Sequence, residues 1–146
     1  MVYYESDMFD RATQDAQLIN DLMQAINGEY SAIACYRQIA KNASSEKQRN
    51  RILEIRKDEK RHLNIFSSIY TQLTGKRPEP KILEACPVSY KKGLEFAIED
   101  EQNTVDFYNE IAEKAQTPYI REQFLRAARD EQNHAVWFLY FLTKRL

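Results

Sequence analysis

The sequence contains two histidines, and each stands three residues after a glutamate: Glu59 precedes His62, and Glu131 precedes His134. Residues three apart on an α-helix lie on one face, so each pair could offer an oxygen and a nitrogen to the same metal ion. An aspartate precedes each pair, in the matching runs DEKRH and DEQNH. This spacing indicates metal binding rather than an accident of two surface residues.

A single offset of 72 residues superimposes the two pairs and aligns the rest of the chain without a gap. At this offset Glu29 falls on Glu101 and Tyr36 on Tyr108, and apolar positions match apolar positions. About one residue in ten is a glutamate, so both histidines would have this neighbour by chance roughly once in a hundred sequences. The chain therefore has two similar halves, each with two carboxylates and one imidazole.

The candidate ligands lie on stripes that must face a core. Glu59 and His62 continue an apolar stripe with spacings of three and four that includes Ile55 and Phe66, and the second half repeats this pattern. Four buried carboxylates cannot all ionise without a counter-charge, which two divalent cations would supply. The alternative is a buried ion-pair network, but no lysine or arginine occupies these stripes.

Carboxylates and imidazoles without a thiolate suit iron or manganese. Zinc is possible, although a zinc site normally has four His or Cys ligands, which this set does not provide. The sequence therefore predicts two metal ions per chain, bound by six residues: Glu29, Glu59, His62, Glu101, Glu131 and His134.

Four helices must position these residues. The periodicity predicts helices over about 13–42, 46–74, 89–115 and 118–144, with Ser45 and Gln48 as a capping box and Pro118 opening the last helix. Fourteen residues with three prolines, GKRPEPKILEACPV, join the second helix to the third. At ~3.3–3.6 Å per residue they can run the length of a helix of about 43 Å. We therefore predict an all-α antiparallel four-helix bundle, one domain over residues 1–146, with one long crossover.

The composition is that of a globular protein, with 43% hydrophobic and 29% charged residues among 146. The 21 basic and 22 acidic residues nearly balance, and no basic patch predicts nucleic-acid binding. We find neither a secretion signal nor an apolar run long enough to span a membrane. Cys35 and Cys86 form no CxxC pair, so we expect a cytoplasmic protein with reduced cysteines.

One glutamate from each of two helices and a Glu-x-x-His from each of the other two resemble the ferritin-like di-iron carboxylate superfamily. Over nearly its full length the chain is most similar to the rubrerythrin-like branch. The resemblance implies two iron ions per chain, with Glu59 and Glu131 bridging them. It implies that Glu29 and His62 complete one iron site, and Glu101 and His134 the other.

The resemblance also implies roles for two tyrosines. Tyr36 matches a family tyrosine that hydrogen-bonds a ligand carboxylate, and Tyr108 is its equivalent in the second half. The alternative for both is aromatic packing in the core.

The sequence departs from rubrerythrins proper in two respects. Rubrerythrins proper carry a rubredoxin module with CxxC pairs, and the 146 residues contain none. They also carry an extra glutamate one turn after the third-helix ligand, where this chain has Thr104. Ferritins usually add a short fifth helix, which is not predicted here. Neither the full rubrerythrin peroxidase reaction nor a storage cage follows directly.

We therefore expect an oxidoreductase that reduces O2 or H2O2 at a two-iron site, with electrons from a separate donor. The alternative is ferritin-type iron oxidation and storage or binding without a dedicated catalytic role; a hydroxylase and a purely structural bundle are further possibilities. The run AVWFLYFL at 135–142 is apolar beyond one stripe. Trp137, Tyr140 and Phe107 could cover a partner subunit, so we expect a homodimer or larger homo-oligomer, unless the crossover covers them.

Overall fold

The structure, a computed structural model, describes the backbone of residues 2–145 and the side chains of residues 11–145. This part of the chain forms four α-helices: α1 (Val2–Lys41), α2 (Glu46–Thr74), α3 (Tyr90–Lys114) and α4 (Pro118–Thr143). Short loops join α1 to α2 and α3 to α4, and each pair packs as an antiparallel hairpin. Residues 75–89, the crossover segment, connect the hairpins. The predicted all-α four-helix bundle is confirmed.

Local chemistry defines the helix ends. The Ser45 hydroxyl accepts a hydrogen bond from the Gln48 N–H at 3.1 Å, and Pro118 stands in the first turn of α4 behind its cap, Thr117. Gly75 closes α2 in the left-handed conformation, with φ of 73°, and so lets the chain leave the helix. The predicted caps are therefore present.

α1 is longer than predicted. It begins at Val2, whereas the apolar periodicity predicted a start at Thr13. Residues 2–12 contain no glycine or proline, so no residue there interrupts the helical backbone. The other helices lie within one residue of their predicted limits at each end.

Two apolar clusters fill the bundle, on either side of the layer that holds the glutamates and histidines. In one cluster the rings of Phe66 and Phe124 stack with centroids 4.4 Å apart, and in the other Tyr36 packs on Phe138 at 5.0 Å. Burying one such ring contributes about 1.5–3 kcal/mol. The polar layer therefore sits in the middle of a continuous core and is shielded from solvent at both ends.

The expectation of two reduced cysteines is wrong for this structure. Cys35 of α1 and Cys86 of the crossover segment form a disulfide bond of 2.11 Å between residues 51 apart in sequence. Cys86 lies in a connector without helical periodicity, so the sequence pattern did not indicate which part of α1 it would meet. The disulfide attaches the crossover segment to the bundle.

In the part of the chain that the structure describes, no helix is both long and apolar enough to cross a membrane.

Candidate metal centre

The six predicted ligands form one buried layer across the bundle. Each has 2% or less of its surface exposed: Glu29 on α1, Glu59 and His62 on α2, Glu101 on α3, Glu131 and His134 on α4. Helical spacing places them here because each continues an apolar stripe of its helix.

The first cluster surrounds the His62 imidazole. Its Nδ1 lies 3.1 Å from Glu131 Oε1, 3.3 Å from Glu29 Oε2 and 3.4 Å from Glu59 Oε1. One ligand atom from each of these four residues lies within 4.8 Å of every other. Three carboxylates and one imidazole nitrogen thus converge on a single point.

The second cluster has the same composition around His134. Its Nδ1 lies 3.3 Å from Glu59 Oε1, 3.6 Å from Glu101 Oε2 and 3.8 Å from Glu131 Oε1. These four residues also meet within 4.8 Å. Glu59 and Glu131 belong to both clusters, so the two points share two carboxylates.

Two aspartates bind the outer nitrogens of the imidazoles. His62 Nε2 lies 2.8 Å from Asp130 Oδ2, and His134 Nε2 lies 2.7 Å from Asp58 Oδ2. In the neutral imidazole a proton on Nε2 leaves Nδ1 as a lone pair facing the carboxylates, the tautomer that a metal requires. The two aspartates align at the 72-residue offset, but the sequence pattern did not predict their contacts with the histidines.

Arg61 joins the two aspartates. Its guanidinium donates to Asp58 Oδ1 at 3.0 Å and to Asp130 Oδ2 at 2.9 Å. The residue aligned with Arg61 in the second half is Asn133, so this contact breaks the symmetry of the repeat. We call Asp58, Asp130 and Arg61 the charge network; it covers the layer on the α2/α4 face.

The two tyrosines also form hydrogen bonds between the halves of the chain. The Tyr36 hydroxyl donates to Glu101, and the Tyr108 hydroxyl donates to Glu29 Oε1 at 2.5 Å. Both rings are buried in the apolar clusters as well. Each tyrosine therefore packs in the core and holds a carboxylate of the opposite half.

Burial and mutual repulsion raise the pKa values of three carboxyls. Desolvation, followed by the charge of Glu59, raises the pKa of Glu29 to about 8, and the same two causes raise the pKa of Glu101. Desolvation and Glu101 raise the pKa of Glu131 well above its usual value. Burial also opposes ionisation of Glu59, but the two imidazoles, whose Nδ1 atoms lie 3.3 and 3.4 Å from its Oε1, outweigh burial and lower the Glu59 pKa. The pKa values of three of the four carboxyls are thus raised, because burial and mutual repulsion disfavour the charged form, and a bound cation would oppose both effects.

The nearby carboxylates in turn raise the pKa values of the two imidazoles. Burial lowers the pKa of His62, but Asp130 and Glu29 outweigh it and raise the pKa to about 12. Asp58 and Glu101 do the same for His134, also to about 12. Without a cation the layer therefore carries its positive charge as imidazolium, and a metal ion must displace those protons.

The residues fit metal ions. Among the described residues, the buried side-chain atoms without a hydrogen-bond partner are Glu59 Oε1, Glu101 Oε2, Glu131 Oε1 and His134 Nδ1. Unpaired buried polar atoms are costly, so such a group calls for a ligand. These oxygen and nitrogen donors suit iron or manganese. The two clusters are consistent with a dimetal site.

A cavity of about 250 Å³ lies on the opposite face of the layer, between α1 and α3. Its walls include residues related by the 72-residue offset: Gly28 with Asp100, Ala32 with Thr104, and Cys35 with Phe107. We call it the twofold pocket, because matched residues of the two halves face each other across it. The Thr104 hydroxyl donates a hydrogen bond to the Asp100 carbonyl at 2.7 Å and adds no carboxylate to the layer.

Of the three aromatic residues predicted to cover a partner subunit, Trp137 and Tyr140 lie together, with ring centroids 6.3 Å apart, and Phe107 lies elsewhere. Phe107 lines the twofold pocket. Trp137 is partly buried, with the Arg51 guanidinium 4.2 Å from its ring centroid, while Tyr140 is exposed. The crossover segment hydrogen-bonds to α1, so Tyr140 stays on an open part of the α4 surface.

Known proteins resemble this chain in sequence and in fold. The profile of the family described as Rubrerythrin matches residues 20–88 and 92–145. Over 132 residues the chain is 53% identical to the uncharacterized protein YhjR of Bacillus subtilis strain 168, covering 90% of this chain and 91% of YhjR.

Solved structures show the same architecture. Ferritin-like di-iron carboxylate proteins from Bacillus anthracis superpose with a TM-score of 0.76 at 23% identity, covering 88% of this chain and 97% of theirs. The bacterioferritin of Desulfovibrio desulfuricans gives 0.73 at 20% identity, covering 91% of this chain and 82% of its own. At these identities the likeness concerns the fold.

Proposed function

The chain belongs to the rubrerythrin family, and from this premise we propose that it is a di-iron oxidoreductase that reduces O2 or H2O2. The observation that supports the proposal is the sharing of Glu59 and Glu131 by two buried clusters, each completed by its own carboxylate and imidazole. Two metal ions bridged by carboxylates suit a two-electron step.

In the proposed centre, Glu29 and His62 would hold one iron and Glu101 and His134 the other, while Glu59 and Glu131, which belong to both clusters, would contribute to both. When bound, the iron pair would supply the two electrons that reduce peroxide or dioxygen. Conversion of H2O2 to two water molecules consumes two electrons and two protons, and a separate electron donor restores the electrons.

The protein's own side chains prepare the centre. Each aspartate accepts a hydrogen bond from an imidazole Nε2–H, so Nδ1 is the nitrogen that would give up its proton and bind a metal. The tyrosine hydroxyls orient Glu29 and Glu101 by donating to one oxygen of each. The apolar clusters exclude bulk water, which strengthens these interactions.

Anaerobic titration with Fe(II), followed by stoichiometric H2O2, tests the proposal. We expect saturation at two irons per chain, ferric charge-transfer absorption after peroxide, and loss of the peroxide. The double variant Glu59→Gln/Glu131→Gln should lose these changes. Glu54→Gln, at an exposed position of α2, should retain them and serves as the matched control.

Two results would redirect or overturn the proposal. Iron bound far above two per chain, in a large assembly, would favour the alternative of iron oxidation and storage. Failure to bind iron, or bound iron that leaves peroxide unchanged, would contradict the oxidoreductase.

We also propose that the chain forms a homodimer or larger homo-oligomer. Val136, Leu139 and Tyr140 of α4 are 57%, 50% and 47% exposed, an apolar surface that a second subunit would cover. Sedimentation of the wild type and of Leu139→Glu tests this; a monomeric wild type contradicts it.

A further inference from the structure

A ladder of polar contacts holds the crossover segment along one stripe of α1. The Asn27 and Ser31 side chains accept hydrogen bonds from backbone N–H groups at positions 81 and 83, at 2.9 and 3.1 Å. Gln38 and Asn42 donate to carbonyls at positions 87 and 88, both at 3.0 Å. Cys35 lies between these pairs on the same helical stripe and forms its contact through sulfur. The disulfide thus adds a covalent bond to this ladder of hydrogen bonds.

This ladder places the crossover segment over the twofold pocket. Leu83 and Glu84 of the segment form part of the pocket wall, and so does Cys35. Every other rung is a single exposed or partly buried hydrogen bond, of the kind that contributes only about 0.5–1.5 kcal/mol. The disulfide is therefore the strongest attachment of this wall.

The pocket adjoins the ligand layer. Its wall includes Tyr108, whose hydroxyl holds Glu29, and Ala25 and Ala32, which stand one turn before and after Glu29 on α1. The small side chains here leave space that large residues would fill.

On the other side of the bundle a larger groove of about 870 Å³ lies between α2 and α4, but its lining includes none of the six ligands and none of the charge network. Over the imidazoles themselves lies the charge network, with Arg61 bonded to both aspartates. A molecule that entered from the α2/α4 face would have to separate these ion pairs. Access to the layer should therefore be easier from the α1/α3 face.

We propose that the twofold pocket is the port through which metal ions and small neutral oxidants reach the dimetal centre, and that the Cys35–Cys86 disulfide is a thiol-sensitive latch on that port. This inference rests on the proposed function. Opening the latch needs a dithiol: its two sulfurs form a new disulfide, the Cys35–Cys86 bond breaks, and two electrons and two protons pass to the two cysteine sulfurs. The crossover segment then stays attached by hydrogen bonds alone.

The rate of Co(II) uptake tests the port, because cobalt reports on entry by visible absorption without any oxidase activity. The metal-free protein is compared oxidised, and after reduction with dithiothreitol followed by anaerobic desalting. We expect uptake to be about tenfold faster after reduction, as a local opening free energy lower by about 1.4 kcal/mol would give. The variant Cys35→Ser/Cys86→Ser should be equally fast with or without the reductant, and it has no thiols that could bind cobalt.

Gly28 allows the converse test. A Cβ placed on Gly28 meets no atom within 4 Å, and Gly28 lines the twofold pocket, so a larger side chain there would extend into the pocket. Gly28→Leu should slow cobalt uptake about tenfold, and Gly28→Ala, the matched control, should change it little.

Hydrogen exchange provides a readout that needs no metal. Amides at positions 81–88 should exchange faster after reduction, while amides in α2 and α4 should not. Unchanged exchange at 81–88 overturns the latch. Equal cobalt rates in all variants and redox states overturn the port but leave the metal centre standing. A wild type that takes up no cobalt in either redox state refutes the metal centre, and the port with it.

Discussion

The ligand layer could be approached through two faces of the bundle. These faces differ in the side chains that cover the layer. On the α2/α4 face, charged side chains pair across the halves and cover the imidazoles. On the α1/α3 face, small residues leave a cavity of about 250 Å³, and a separate segment covers it through one disulfide and a few hydrogen bonds. One face orients the ligands, and the other leaves space beside them.

The residues that distinguish the faces are those that depart from the repeat. Arg61 has Asn133 as its equivalent, and Cys35 has Phe107. The ligands themselves follow the repeat without exception. The residues that the two halves share therefore form the metal layer. The residues that differ, Arg61 and Cys35, determine how the layer is covered on the α2/α4 face and on the α1/α3 face.

Breaking the Cys35–Cys86 disulfide on the α1/α3 face should have the largest effect on stability. The disulfide links residues 51 apart, and the chain-entropy relation gives about 4 kcal/mol for a loop of that size. Reduction should therefore lower the melting temperature by roughly 10 °C. Thermal unfolding with and without reductant measures this, and Cys86→Ser should melt low in both conditions. Equal melting of oxidised and reduced wild type would show that the crossover contributes little.

Breaking the α2/α4 face should act on the metal instead. Asp58→Asn or Asp130→Asn replaces the carboxylate that accepts from an imidazole Nε2–H, and such changes typically cost 10–100-fold in metal affinity. Competition with a chelator measures the affinity. Asp106→Asn, at an exposed position of α3, is the control. Affinity unchanged in both variants would mean that the aspartates do not orient the imidazoles.

Raising the pH should lower the stability of the metal-free protein and raise its affinity for metal. Folding raises the pKa of Glu29 from 4.5 to about 8, so the proton held there stabilises the fold at low pH and is lost as pH rises through that window. For His62, raised from 6.5 to about 12, the stabilising contribution is complete below 6.5 and declines above it. The metal-free protein should thus lose about 1.4 kcal/mol per pH unit for each net proton involved.

Metal binding must release these protons, so affinity should rise with pH. Melting curves from pH 5 to 9, with and without Mn(II), should therefore diverge as pH increases. Parallel curves would argue that the layer does not exchange protons for metal.

The smallest expected effect compares two glycines on the α1/α3 face. Gly28→Ala should stabilise the protein by about 0.5–1 kcal/mol, since alanine favours the helix and its Cβ meets nothing. At Gly93 of α3 the added Cβ would lie 3.0 Å from Ile39 Cγ1, so Gly93→Ala should gain less or lose stability. Denaturant midpoints distinguish the two; equal gains would mean that Ile39 moves aside freely.

The fold could be predicted because helical spacing is local: the stripes through Glu59 and Glu131 reveal both the helices and their inner faces. Contacts between elements were harder. Asp58 and Asp130 were visible as an aligned pair, but each reaches the histidine of the opposite half, and only packing reveals that partner. The meeting of Cys35 and Cys86 depends on how an extended connector lies along α1, which no helical period encodes.

The crossed contacts also bear on how the molecule unfolds. Tyr36 and Asp58 of the first half hold Glu101 and His134 of the second, and Tyr108 and Asp130 return the same contacts to Glu29 and His62. Neither hairpin can fray without releasing ligands that belong to the other. The two hairpins should therefore unfold as one cooperative unit, with metal release and global unfolding as a single event.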